Sequence, residues 1–318
     1  MGATSEAPTL RAGALDVELA PAIGGSVSAM RWRGVDLMRR LSDDDRDADN
    51  VLGVAMFPMV PYANRIAGNE FDFGARRWRV LPNNPPEIFN VHGSGWKQPW
   101  TVTGSGAAAA TLVLEVAAGA EPYSYRAEQA FVVSEEGLGV TMTLTNTGPV
   151  PMPFGFGLHP WFDRDRGVTL QFSARRFHLE EPEGVSGDPI TLPPELDFAK
   201  GGPLPDGWRN NDYGGWTGEA IIRFPSRGAG LRIAADPVFK HLMLYADPTK
   251  PYFCLEPQTN ASGAFGRGRW SDPDEGVIVL ARGESAAGAV SFMPFALTPG
   301  QLRAAGPGDR HPPAWRCR

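Results

Sequence analysis

The stretch GVTMTLTNTG, residues 139–148, decides the fold class. Val140, Met142 and Leu144 fall at every second position, with Thr141, Thr143 and Thr145 between them. Side chains of an extended chain alternate between two faces, so this spacing predicts a strand with one apolar and one polar face. TLVLEV (111–116) repeats the pattern through Leu112, Leu114 and Val116. EAIIRFPSRGAGLRIAAD (219–236) reads as two strands joined by a Pro-Ser-Arg-Gly turn. HLMLYAD (241–247), YFCLEP (252–257), GVIVLARGE (276–284) and AVSFMPFAL (289–297) are further short apolar runs set off by Gly and Pro. Helical spacing is scarce. Strands this short and this close predict an all-β sandwich of mostly antiparallel strands rather than alternating strands and helices.

Composition agrees. The 318 residues include 38 Gly and 30 Pro without a Gly-X-Y period, which excludes collagen and implies many turns. No internal repeat or linker divides the chain, so residues 1–300 are expected to form one domain and 301–318 a loose tail. LSDDDRDADN (41–50) reads as a solvated loop, and GSGAAAAT (104–111) as an exposed turn. A net charge of -6 and a pI near 5.5 leave no basic stripe for phosphate neutralisation, so no nucleic-acid partner is expected. The two cysteines, Cys254 and Cys317, form neither a CxxC pair nor a disulfide framework, which fits a reducing compartment. No apolar run reaches the ~18 residues of a membrane helix, and MGATSEAPTLRAG has no secretory pattern. The expectation is a cytoplasmic protein, monomeric or homodimeric, whose partner is a small molecule.

Two of the five histidines stand in segments dense with Gly and aromatics: His92 in FNVHGSGW (89–96) and His159 in FGFGLHPWF (154–162). Glycines allow close backbone approach to a ligand, and Phe156, Trp161 and Phe162 could wall a pocket. His178, His241 and His311 read as surface or structural residues. Glu256 ends the apolar run YFCLE before Pro257, where partial desolvation would raise its pKa toward that of a useful base. Asp212, in RNNDYGGWTG (209–218), reads first as a turn residue. No HExxH, clustered Cys/His, GxGxxG, P-loop or G-x-S-x-G pattern is present, so no metal or cofactor is expected.

Five segments, in order, resemble the aldose 1-epimerase (mutarotase) family. PYANRIAGNEFDF (61–73) is similar to its Asn-Arg-Ile segment and FNVHG (89–93) to its His-Gly. GFGLHPWF (155–162) resembles its Gly-x-x-His-Pro-aromatic-Phe motif, NDYGGWTGEAII (211–222) its Asp-and-Gly-Trp segment, and FCLEPQTNASGAF (253–265) its Glu-Pro motif. The resemblance implies a galactose-mutarotase-like β-sandwich and cofactor-free interconversion of the α and β anomers of a free aldose such as galactose or glucose. It implies His159 as general acid at the ring oxygen and Glu256 as general base at the anomeric hydroxyl. Arg65, His92 and Asp212 would hold the substrate. Trp161 stands where Tyr is common and Asp163 where Asn is frequent, and Tyr213-Gly214 replaces a more apolar pair; these changes bear on sugar preference.

A carboxylate and an imidazolium on opposite sides of the sugar suffice for ring opening, with His159 charged and Glu256 ionised together. Three rivals remain at this stage. A hexose 6-phosphate 1-epimerase would use Arg65, Arg76, Arg77 and Arg79 on the phosphate. A glycosidase would pair Asp212 with Glu256. A non-catalytic sugar-binding sandwich would need neither His159 nor Glu256.

Overall fold

The computed structural model describes residues 7–303. The alternating stretch forms strand Leu138–Asn146, with Val140, Met142 and Leu144 buried, as the spacing predicts. It pairs antiparallel with Tyr125–Val133 and with Ser285–Ala296. The predicted hairpin joins Glu219–Phe224 to Ala229–Ala235 through a turn closed by Gly228 at φ 63°, a left-handed conformation that costs glycine little. These strands belong to a nine-stranded sheet.

An eleven-stranded sheet packs on it. Its middle runs Ser26–Trp32, Met56–Met59, Gly157–Asp163, Tyr252–Gln258, His241–Ala246, Arg209–Gly214. One apolar cluster joins the two sheets, taking Leu158, Phe162, Phe253, Leu255, Leu242 and Leu244 from the second sheet and Leu144, Phe292 and Ile233 from the first. Alternation therefore turns His159, Trp161, Cys254, Glu256, Met243 and Phe57 to the outer face. Most of that face is buried too, because loops cover it; this is why these strands read as apolar runs rather than clean alternations.

Buried Asn260 ties that cover down. Its Oδ1 accepts from the Ala63 N–H at 2.9 Å, and its Nδ2 donates to the carbonyls of Ala63 and Ala261, each at 3.0 Å. The segment carrying Asn64 and Arg65 is thereby anchored beyond the end of the Glu256 strand.

Two expectations are corrected. Residues Asp43–Asp47 of the acidic stretch form one helical turn. Ser42 caps it by accepting from the Asp45 N–H, and Asp43, Asp44 and Asp45 face the positive end of the turn. His178 and His241, read as surface or structural residues, are buried. Asp212 lies inside strand Arg209–Gly214 rather than in a turn. Helix Pro299–Arg303 runs across the expected boundary at 300/301; His311 and Cys317 lie outside the described residues. No described helix is long and apolar enough to cross a membrane.

Asn260→Ala strands two backbone groups of Ala63 in a dry interior, at about 1–3 kcal/mol for each unsatisfied group. Urea denaturation is expected to show a loss of unfolding free energy of that size; unchanged stability would deny Asn260 its anchoring role.

Candidate active site

Sheet register assembles the site. Trp161 pairs with Cys254 and Gly157 with Gln258, so His159 lies opposite Glu256. On the other side His159 pairs with Phe57, while Glu256 pairs with Met243 and Met243 with Asp212. One row across the sheet thus carries Phe57, His159, Glu256, Met243 and Asp212. His159 Nε2 is 3.3 Å from Glu256 Oε1, with the two residues 7% and 2% exposed.

Aromatic rings fix the imidazole. Phe57 stacks on one face at 4.4 Å and Trp161 on the other at 4.8 Å. Trp96 stacks behind Phe57 at 5.1 Å, and the Arg39 guanidinium lies over Trp161 at 4.4 Å. His92 meets His159 edge-on, ring centroids 5.1 Å apart.

The covering loops supply the remaining groups. His92 has φ 59°, and its Nδ1 accepts from the Asn64 N–H at 3.0 Å, so its Nε2 carries the hydrogen. Gly93 follows with φ 66°; a Cβ there would sit 2.3 Å from Pro61 Cδ and 2.7 Å from the Val60 carbonyl, so only glycine lets the loop close. Arg65 is gripped by Glu87 through two parallel hydrogen bonds, Nε to Oε2 at 3.0 Å and Nη2 to Oε1 at 2.8 Å.

These residues enclose a cavity of about 240 Å³, further lined by Asn64, Asn210, Tyr245 and Tyr252. His159 Nδ1, Glu256 Oε2 and Trp161 Nε1 are buried without a partner in the protein, and all three residues line the cavity. Buried polar atoms are ordinarily satisfied, so three unpaired ones on residues lining one cavity set this place apart.

Burial sets the charges. It drives the Glu256 carboxyl up to about 8 against the pull of Arg65, with Asp212 adding to the rise. It drives His159 down to about 3, helped by the positive charges of Arg39 and Arg65. His92 is also held well below the usual imidazole value, first by burial and then by His159 and Arg65. In the empty cavity at neutral pH the pair therefore holds one proton, on Glu256, and both groups are uncharged. That differs from the expected imidazolium–carboxylate pair, because burial opposes charge on both groups.

Of the five residues singled out in sequence, His159, Glu256, His92 and Arg65 line the cavity. Asp212 does not. It is fully buried, its Oδ1 3.1 Å from His241 Nδ1 and its Oδ2 accepting from the Ser262 N–H at 2.8 Å. Burial alone would raise its pKa, but His241, His178 and these hydrogen bonds outweigh that and hold it low. Asn64, Asn210, Glu87 and Tyr245 were not singled out. Asn210 was within reach, since it shares a strand face with Asp212 two residues on; Glu87, in a Pro-Pro-Glu loop, carries no signal.

Two trios bring metal-ligand types together, His92–His159–Glu256 and His178–Asp212–His241, with ligand atoms within 4.8 Å in each. In the second, His241 Nε2 faces the Asp274 carbonyl at 2.9 Å and Nδ1 faces Asp212, so both ring nitrogens already have partners in the protein.

The family model described as aldose 1-epimerase matches residues 9–292. The chain belongs to the aldose 1-epimerase family. It is 33% identical over 244 residues to the uncharacterized protein YphB of Escherichia coli K12, covering 74% of this chain and 82% of that one. A solved Escherichia coli K12 structure, described as a candidate aldose 1-epimerase, superposes with TM-score 0.84 at 30% identity, over 92% of this chain and 99% of that one. A galactose mutarotase-like protein of Clostridium acetobutylicum shares the fold, with TM-score 0.78 at 18% identity over 91% and 95% of the two chains.

His92, with Nδ1 engaged and its protonation opposed by burial, is expected to stay neutral as the Nε2–H tautomer between about pH 5 and 8. Imidazole ¹⁵N NMR checks this; a titration midpoint near 6.5 would contradict the geometry.

Proposed function

We propose that this protein is an aldose 1-epimerase acting on a free, unphosphorylated aldose, with Glu256 and His159 as its acid–base pair. The observation that supports this most is the buried contact of 3.3 Å between them, with polar atoms left unpaired around a cavity the size of one pyranose.

The resting proton arrangement suits the reaction. As the sugar enters, its anomeric hydroxyl donates to Glu256 Oε2, and the carboxyl proton passes from Oε1 to His159 Nε2. The carboxylate then takes the C1 hydroxyl proton while the imidazolium gives its proton to the ring oxygen. The C1–O5 bond breaks and the C1 carbonyl forms. Both residues end uncharged, the state that burial prefers, so desolvation makes Glu256 a strong base and His159 a strong acid in the same step. Rotation about C1–C2 and the reverse transfers close the ring as the other anomer. His92 Nε2–H and the outer edge of the Arg65 guanidinium donate to hydroxyls, and Trp161 and Phe57 keep the imidazole in plane with its targets.

Particular observations disfavour the rivals. Arg76, Arg77 and Arg79 lie on the exposed hairpin strand Arg76–Arg79 and do not line the cavity; Arg77 is bound to Asp72 and Glu70. Arg65 is the one of the four that reaches it, and its charge is met by Glu87. A phosphate would therefore find no free cation among them. The glycosidase reading needs Asp212, whose carboxylate oxygens are both occupied away from the cavity.

Magnetisation exchange between the anomeric protons, measured on free and phosphorylated aldoses with spontaneous mutarotation subtracted, tests this. Exchange is expected on a free aldose. Glu256→Gln and His159→Asn are each expected to lower kcat by about 10²–10⁴, the usual worth of one general acid or base. kcat/KM is expected to hold through neutrality and fall near pH 8, where Glu256 gives up the pair's one proton. A phosphosugar preference, a folded Glu256→Gln within about threefold of the parent, or an alkaline limb near the ordinary imidazole value of about 6.5 would refute it.

A further inference from the structure

Four residues of the inner cavity, Arg65, Glu87, Asn210 and Tyr245, also line a second, outer compartment of about 420 Å³. Its wall carries Trp208, an indole left 46% exposed. That indole is held in a set orientation. Its Nε1–H donates to Glu180 Oε2 at 2.5 Å, and Tyr245 packs edge-on against it at 5.6 Å. Glu180 Oε1 accepts from Asn210 Nδ2 at 2.7 Å, so one carboxylate joins the exposed ring to a residue of the inner cavity.

The charges are one-sided. Apart from the Arg65–Glu87 pair, the charged residues of this wall are Glu180 and Glu183. An anionic substituent would be repelled here. Hydroxyl groups would not, because carboxylate oxygens accept from them, and the apolar C–H face of a pyranose matches a flat, exposed indole. The outer compartment is larger than the inner one, so it suits a whole ring rather than a small substituent.

We propose that this compartment is a subsite for a second, uncharged pyranose ring, linked to the aldose that reacts in the inner cavity. Resting on the epimerase reading, this makes reducing disaccharides better substrates than the corresponding monosaccharide, with Trp208 as the residue that sets the preference. One aromatic contact is worth about 0.5–1.5 kcal/mol, so the preference in kcat/KM is expected to be about fivefold.

The test measures anomer exchange on lactose, cellobiose and melibiose beside galactose and glucose, with binding of the same sugars followed by calorimetry. In the parent the best disaccharide is expected to exceed its reducing-end monosaccharide about fivefold. Trp208→Ala should bring that ratio to about one, and Trp208→Phe, which keeps a flat ring, should retain most of it. A parent ratio at or below one, or a ratio unmoved by Trp208→Ala, overturns the subsite while monosaccharide exchange upholds the epimerase. If no aldose exchanges, the epimerase reading fails and calorimetry decides the subsite. Tighter disaccharide binding that Trp208→Ala abolishes upholds it, and equal binding overturns it.

Discussion

The removal of water from the His159–Glu256 contact is the constraint on which the site depends. A carboxyl and an imidazole 3.3 Å apart in water would sit as an ion pair; buried beneath covering loops, both are pushed toward neutrality. The sandwich supplies the geometry, since sheet register places the two residues opposite each other on neighbouring strands. The aromatic stack from Trp96 to Trp161 supplies the dry wall, and Arg39 behind it adds a positive charge that disfavours a second one on His159.

Other features follow from keeping that contact dry and fixed. The covering loops must approach the sheet closely, so Gly93 adopts a left-handed conformation against Pro61 and Asn260 anchors Ala63. Arg65 can face the cavity without flooding it with charge because Glu87 meets it in parallel hydrogen bonds. Asp212 and His241 pair in the same sheet beneath the covering loops, where Asp212 raises the Glu256 carboxyl from a distance instead of lining the cavity.

Much of this was legible in the sequence. Period-two spacing in 139–148 and the Pro-Ser-Arg-Gly turn at 225–228 gave strands and a hairpin, because such signals are local. The Gly- and aromatic-rich settings of His92 and His159 marked the site, since close backbone approach needs those residues. What stayed hidden was long-range. Strand Leu138–Asn146 pairs with Ser285–Ala296 across more than a hundred residues, and no local pattern specifies that. Asp212 carries the same carboxylate whether it faces sugar or His241, and only the fold decides. The protonation of His159 and Glu256 follows from burial, which composition around a single residue does not measure.

The most direct measurement is the infrared difference spectrum of the empty protein at pH 7, parent minus Glu256→Gln. The account predicts the carbonyl stretch of a protonated carboxyl, shifted in D₂O and lost above about pH 8. A spectrum showing only carboxylate bands of Glu256 at pH 7 would contradict it.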